Sequence, residues 1–481
     1  MSVESSASAT AGETATGWGD IIAHRLPQFA LVCVGVWLNA AETLMTATIM
    51  PSVAADIHGE AWFGWVVAIY LIGSILAGAT SARLAQTIGL KRALAVGGLT
   101  YAVGCTAGAI APSIFWFIAG RLLQGVGGGW VIGLCFVAVT RLFPQALWAR
   151  VLSGVAGVWG VASLVSPLVG GLFAQAGFWR GAFWVFAIQG VAFVAAAAVL
   201  VPRPTEPEAP PTGRIPLGSL AALTGAVLAI GAAGLGGSVG QSAALAVAGC
   251  VLLVAFFYLN ARDDAPLVPR EAANPMTGTG AGLAMIFCAT AGTACITAYL
   301  PALLQRLYGA SPLLAGYLLV SEALSWTAAA FLVAGRGSGR VYIRIGSVLI
   351  ALGLALFALI VPHGGLWLIP ICTLVEGAGF GLAWTFTVSR MVASAPPGEQ
   401  AIASSSSPTM QSIGTAVGSA ASGVIAGVIG FGRGITVERA TVGGFWLFAA
   451  FVPLTAFGAV AAWRLASPRF DPVTEAPDTV G

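Results

Sequence analysis

The chain has 481 residues, of which 58% are hydrophobic and 8% charged, with a mean hydropathy of +0.92 and a formal net charge of +3. A soluble domain carries about 25% charged residues, so the chain reads as an all-α polytopic membrane protein, and a charge this small excludes a nucleic-acid footprint. Seven cysteines (Cys33, Cys105, Cys135, Cys250, Cys288, Cys295 and Cys372) fall in apolar runs without CxxC spacing, and three histidines are too few for a metal cluster. Neither metal nor cofactor is expected.

Residues 1–24 are rich in Ser, Thr, Ala and Gly and read as a disordered cytoplasmic tail. Six apolar runs follow, near 27–50, 62–82, 93–111, 114–140, 151–174 and 181–201. The segment 202–216 carries six prolines and is expected to be a cytoplasmic linker. Two runs come next, 217–236 and 241–260, then a second linker at 261–276. Six further runs lie near 277–305, 313–335, 342–362, 366–392, 402–430 and 443–466, before a second tail at 470–481. This predicts fourteen spans: an N-terminal six-helix bundle over 25–201, an inserted hairpin over 217–260 and a C-terminal six-helix bundle over 277–469.

Basic residues support an even number, because short cytoplasmic loops collect them. With the N-terminus inside, sixteen Arg and Lys fall on the cytoplasmic side, from Arg25 to Arg469, and four (Arg180, Arg306, Arg433 and Arg439) fall outside. Both termini are then cytoplasmic. An internal repeat points the same way. LLQGVGGG (Leu122–Gly129) recurs as LVEGAGFG (Leu374–Gly381), TATIMP (Thr46–Pro51) as ITAYLP (Ile296–Pro301), and RLAQTIG (Arg83–Gly89) as RVYIRIG (Arg340–Gly346), at offsets of 252, 250 and 257 residues.

The first run contains a carboxylate, Glu42, with Asn39 three residues before it and Thr46 four after, a polar stripe on one helical face. An ionisable group near mid-membrane marks an ion or substrate pathway by default. Arg121 lies nine residues past Pro112 and Glu42 nine before Pro51 on a span running the other way. If both prolines mark the outer boundary, the two charges share a depth about 13 Å below it. They are expected to face each other across the first bundle or to share waters, with a permanent structural ion pair as the alternative.

Several motifs carry a family resemblance. An acid stands nine residues before Pro51; Trp65 and Tyr70 form W-x-x-x-x-Y; Arg121, Gln124, Gly125 and Gly127 form R-x-x-Q-G-x-G; Trp179, Arg180 and Phe183 form W-R-x-x-F. With two six-helix halves and two central helices, the chain resembles the fourteen-span drug:proton antiporter group of the major facilitator superfamily over residues 25–466. Two motifs depart from the group's pattern. The loop after the second helix reads ARLAQTIGLKR, so Ala82, Gln86 and Thr87 replace a glycine, an acid and an arginine. The fifth-helix signature ends Ser166-Pro167-Leu168-Val169-Gly170-Gly171, with Ser166 in place of glycine, while Gly154, Gly157 and Gly160 keep a close-approach surface.

The resemblance implies a non-enzymatic, proton-coupled exporter of amphipathic, cationic or neutral organic compounds, working by alternating access in the bacterial inner membrane as a monomer, with small molecule, protons and lipid as its partners. Under this reading Glu42 and Arg121 couple the proton. Gln86, Gly89, Arg92, Gly160, Pro167, Gly170 and Gly171 gate the conformational change. Asn39, Thr46, Trp65, Tyr70, Gln124, Tyr299, Glu322, Trp326, Glu376 and Trp384 are the candidate substrate contacts, with Trp37 a further aromatic. Glu322 and Glu376 are outside the group's usual pattern; they suit a cationic solute or a second proton, against hydrogen-bonded neutral acids. A dedicated metabolite, siderophore or lipid carrier of the same fold is the alternative function, and a solute sensor a remote one.

Overall fold

The computed structural model describes residues 21–202, 215–234, 238–264, 266–333, 339–396, 400–431 and 436–470. The tails at 1–20 and 471–481 and most of the 202–216 linker lie outside the described residues. All regular elements among the described residues are helical, since in lipid a helix satisfies its backbone polar groups internally. In the first half these are α1 (Leu26–Ile57), α2 (Phe63–Ile88), α3 (Leu90–Ala109), α4 (Ile114–Leu142), α5 (Gln145–Gln175) and α6 (Trp179–Leu200). The hairpin is α7 (Leu217–Ala233) and α8 (Val239–Arg262). The second half comprises α9 (Gly278–Tyr308), α10 (Pro312–Val333), α11 (Arg340–His363), α12 (Ile369–Ala393), α13 (Gln400–Ile429), α14 (Val437–Ala449) and α15 (Val452–Leu465).

Twelve stretches among the described residues are long and apolar enough to cross a membrane, α14 and α15 counting as one. α7 has 17 residues and falls short of that length. α3 carries Lys91, Arg92 and four glycines and is less apolar.

One expected boundary moves. Pro51 does not close α1, which runs on to Ile57, and its repeat counterpart Pro301 lies inside α9, within the expected run. Proline removes one backbone bond and displaces one carbonyl, which a packed membrane helix can absorb. Glu42 consequently sits sixteen residues from one end of α1 and fifteen from the other. The last predicted run is two helices, broken at Ala450–Phe451, because Pro453 in the first turn of α15 has no N–H to carry the ladder across.

The halves pack in the same pattern. In the first, α2 and α3 lie on α4, α3 on α6, and α1 on α5, α4 and α6. In the second, α10 and α11 lie on α12, α11 on α14 and α15, and α9 on α13, α12, α14 and α15. The halves meet through α5 on α10 and α2 on α13. α7 packs on α2 and α13, with the Trp65 indole donating to the Gly231 carbonyl at 3.1 Å. Val247, Val251 and Val254 of α8 are exposed, an apolar face suited to hydrocarbon.

Helix contacts fix the register of the repeat and correct one anchor. A side chain at Gly125 would collide with the Tyr70 backbone, and one at Gly377 with the Glu322 backbone. Gly129 meets Ser74 as Gly381 meets Trp326. Both α2/α10 and α4/α12 are thus offset by 252, so Glu322 corresponds to Tyr70, not to Trp65 as the 257 offset would have it. Arg83–Gly89 ends α2, whereas Arg340–Gly346 begins α11, so these similar segments are not equivalent. A single residue, Gly89, joins α2 to α3; its φ of +82° is a conformation glycine adopts without strain.

Candidate functional site

Glu42, at the centre of α1, is fully buried and forms an ion pair with Arg121 of α4. Thr46, one turn on, donates to Glu42 Oε1 at 2.6 Å. Arg121 also donates from Nη1 to Gln124 Oε1 at 2.8 Å and from Nε to the Val66 carbonyl at 3.3 Å. Its guanidinium lies 4.3 Å from the centre of the Tyr70 ring. Asn39 donates to the Tyr70 hydroxyl at 3.0 Å, and Gln124 Nε2 to Cys105 Sγ at 3.1 Å. Three helices therefore bring together six of the predicted residues: Asn39, Glu42, Thr46, Tyr70, Arg121 and Gln124. Gly125 allows the approach, since α2 and α4 touch backbone to backbone one residue beyond Gln124.

Glu42 Oε2 has no hydrogen-bond partner among the described residues. The two carboxylate oxygens are therefore unequal, with Thr46 and Arg121 both holding Oε1. Removing either charge strands the other in a low-dielectric interior.

The second half places different chemistry at the same two positions. Glu322 of α10 stands where Tyr70 stands in α2, and Glu376 of α12 where Gln124 stands in α4. The carboxyls are electrostatic neighbours. Glu376 is 1% exposed, with neither oxygen hydrogen-bonded among the described residues; Glu322 is half-buried. Thr373 corresponds to Arg121 and lies 2.5 Å, oxygen to oxygen, from the Ser321 hydroxyl. One turn on, Trp326 stacks on Phe380 with ring centres 4.8 Å apart, and Trp384 lies 5.5 Å from Trp326.

Trp65 and Tyr299 are not part of either cluster. Trp65 is tied to α7. Tyr299 is buried and its hydroxyl accepts from the Gly64 N–H at 3.3 Å. With Phe63 and Phe431 it forms an aromatic plug between the halves, ring centres 5.2 to 5.8 Å apart. Trp37 donates to Gln189 at 3.1 Å.

The expected gating residues separate. Pro167 and Thr48 abut Gly316, Gly171 abuts Leu313, and Gly170 abuts Met45 and Ile49, all at the α1–α2 turn end of the bundle. Gly64 abuts Ser419 and Gly423, which are Pro167 and Gly171 advanced by 252 residues, as Gly316 is Gly64. The contact between halves is thus built twice from the same positions. Gly157 and Gly160, expected to make close approaches, have nothing within 4 Å of where a side chain would begin; in this conformation their stretch of α5 is not packed on another helix backbone. Gln86 and Arg92 flank the α2–α3 turn. Sequence reasoning missed Phe63, Gly64 and Phe431. The repeat held the signal, because Gly64 and Gly316 are both glycines 252 residues apart.

Residues 32–419 match the sequence profile of the Major Facilitator Superfamily. A probable multidrug-efflux transporter of Mycobacterium tuberculosis is 31% identical over 472 residues, spanning 95% of this chain and 97% of its own. An efflux pump of Gibberella fujikuroi, FUS6, is 28% identical over 400 residues, 78% of this chain and 70% of its own. Among solved structures, a POT family transporter in complex with a thioalcohol-conjugated peptide superposes with a TM-score of 0.65 at 16% identity, over 92% of this chain and 96% of that one. The nucleoside transporter NupG, as its D323A mutant, gives 0.63 at 13% identity, over 91% and 99%. At these identities the structural likeness is one of fold.

Proposed function

The chain belongs to the major facilitator superfamily and is a multi-pass membrane transporter, not an enzyme; from that premise we propose that it is a proton-coupled exporter of amphipathic, cationic or neutral organic compounds. The efflux roles named for its relatives support export of organic compounds. In this reading α3 and α7 also cross the bilayer, giving fourteen spans. It places the protein in the bacterial inner membrane with both termini cytoplasmic, as the loop arginines favour.

The observation that carries proton coupling is the buried Glu42–Arg121 pair, with Thr46 and Gln124 holding one side and Glu42 Oε2 left open. A proton on Glu42 weakens its hold on Arg121, which keeps Gln124, the Val66 carbonyl and the Tyr70 ring as alternative partners. The cation then keeps polar partners but loses its counter-charge, and α1 is released from α4 once per cycle. In this reading the plug of Phe63, Tyr299 and Phe431 closes the outer side, and the cytoplasmic side opens along α5, where Gly157 and Gly160 have no neighbouring helix. Alternating access then exchanges one closure for the other.

The test uses proteoliposomes with an imposed pH gradient. Glu42→Gln is expected to lower gradient-driven flux at least tenfold while equilibrium substrate binding changes no more than about threefold. Gradient-driven flux at the wild-type rate in this variant would remove Glu42 from the coupling step.

A further inference from the structure

The first half contains its own cation. Arg121 sits between the Tyr70 ring and the Gln124 amide, bound to both. The repeat puts Glu322, Glu376 and Thr373 at the positions of Tyr70, Gln124 and Arg121. The second half has therefore gained two carboxyls and lost the guanidinium between them.

No charged side chain nearby replaces it among the described residues. Around α12, α9 brings Cys295 within electrostatic reach of Glu376, and its one charge, Arg306, lies in its last turn. α11 has no charged residue between Arg344 and its terminal His363, and α13 has none. Arg390 is fourteen residues along α12, about 21 Å away, and Arg464 ends α15. Next to α10, α1 has Glu42 and Asp56, each already paired with an arginine. α5 carries only Arg150, in its first two turns. Two neighbouring carboxyls at this depth without a counter-charge are costly to ionise together.

We propose that Glu322 and Glu376 form a binding site for an organic ammonium or similar monocation with a flat apolar body, which takes the place Arg121 takes in the first half and expels the proton the two acids hold. The apolar body lies against Trp326, Phe380 and Trp384, which the repeat matches to Ser74, Gly128 and Ile132, so the first half has no such surface. Trp326 and Trp384 are only partly covered, as is Glu322, whereas Glu376 and Phe380 are buried; the group opens on one side and is anchored on the other. One positive charge enters and one proton leaves, so the charge of the site is unchanged. The inference rests on the exporter reading and assigns it a cation site separate from Glu42.

The experiment uses the full chain in lipid nanodiscs with ethidium as probe and Nile red as an uncharged comparator. Wild type is expected to bind ethidium and to release about one proton per ethidium into weakly buffered solution. Glu322→Gln with Glu376→Gln is expected to weaken ethidium binding on the order of tenfold or more, to abolish proton release and to leave Nile red binding unchanged. Thr373→Arg supplies the missing guanidinium and is expected to abolish both ethidium binding and proton release with the acids intact. Ethidium binding and proton release unaltered in the double variant, or equal losses for Nile red, would overturn the site while leaving proton-driven flux, measured separately, to judge the exporter reading. Failure of wild type to bind ethidium would overturn the site as well.

Discussion

At the residue scale, Glu42 and Arg121 are each other's principal compensation for burial. Breaking a buried pair by removing one partner costs about 3–5 kcal/mol, while removing both charges together is often nearly neutral. Arg121→Gln is therefore expected to lower the thermal unfolding midpoint of the detergent-solubilised protein strongly, and Glu42→Gln with Arg121→Gln to recover most of it. A double variant no more stable than Arg121→Gln would show that the two charges do not compensate one another. Glu42→Gln alone should be milder, because an amide keeps the bond from Thr46 and Arg121 retains Gln124, the Val66 carbonyl and the Tyr70 ring. The pairing was legible in the sequence because two charges in apolar runs have few places to go. The premise about depth was not sound, since Pro51 does not end α1. The Glu42–Arg121 contact follows instead from the packing of α1 on α4. The Cys105 contact to Gln124 was illegible, because a cysteine in an apolar run gives no sign of whom it faces.

At the element scale, the end of α15 shows how a membrane helix is finished. Its last carbonyls would otherwise be left without donors. Arg390 of α12 donates to the Leu465 and Ser467 carbonyls at 3.2 and 3.1 Å, and Arg344 of α11 to the Ala466 carbonyl at 3.2 Å. Two cations at a helix C-terminus also oppose its dipole. Arg390→Gln is expected to cost about 1–3 kcal/mol and to raise amide hydrogen exchange over 452–465 more than over α1; exchange unchanged there would mean that α11 holds the end unaided. The sequence had assigned both arginines to cytoplasmic loops on charge alone, which located the end of the bundle but not the bond. Helix existence was legible throughout, since runs of about twenty apolar residues admit no other fold in lipid. Register was legible where glycines fix backbone contact, as at Gly125 and Gly377. It was misread at Arg340, where seven similar residues span the end of one helix and the start of another.

At the scale of the whole molecule, the two halves close against each other through one contact made twice. Gly64 of α2 meets Ser419 of α13, and Gly316 of α10 meets Pro167 of α5. The aromatic plug of Phe63, Tyr299 and Phe431 lies beside the first of these. A β-branched side chain at either glycine collides with the facing helix only while this end is shut, so it penalises one conformation and leaves the other alone. Overpacking of this kind costs about 1–3 kcal/mol, enough to shift the ratio of the two states roughly 5- to 150-fold. With this end closed, Gly157 is open to its surroundings, so its accessibility reports the population. In a cysteine-free background carrying Gly157→Cys, a membrane-impermeant maleimide added from the cytoplasmic side is expected to label rapidly. Adding Gly64→Val should slow labelling, and Gly316→Val should slow it by a similar factor, because the repeat gives the two glycines one role. A slowing by only one of them would mean that the paired contacts do not open together and that the halves do not move as rigid bodies.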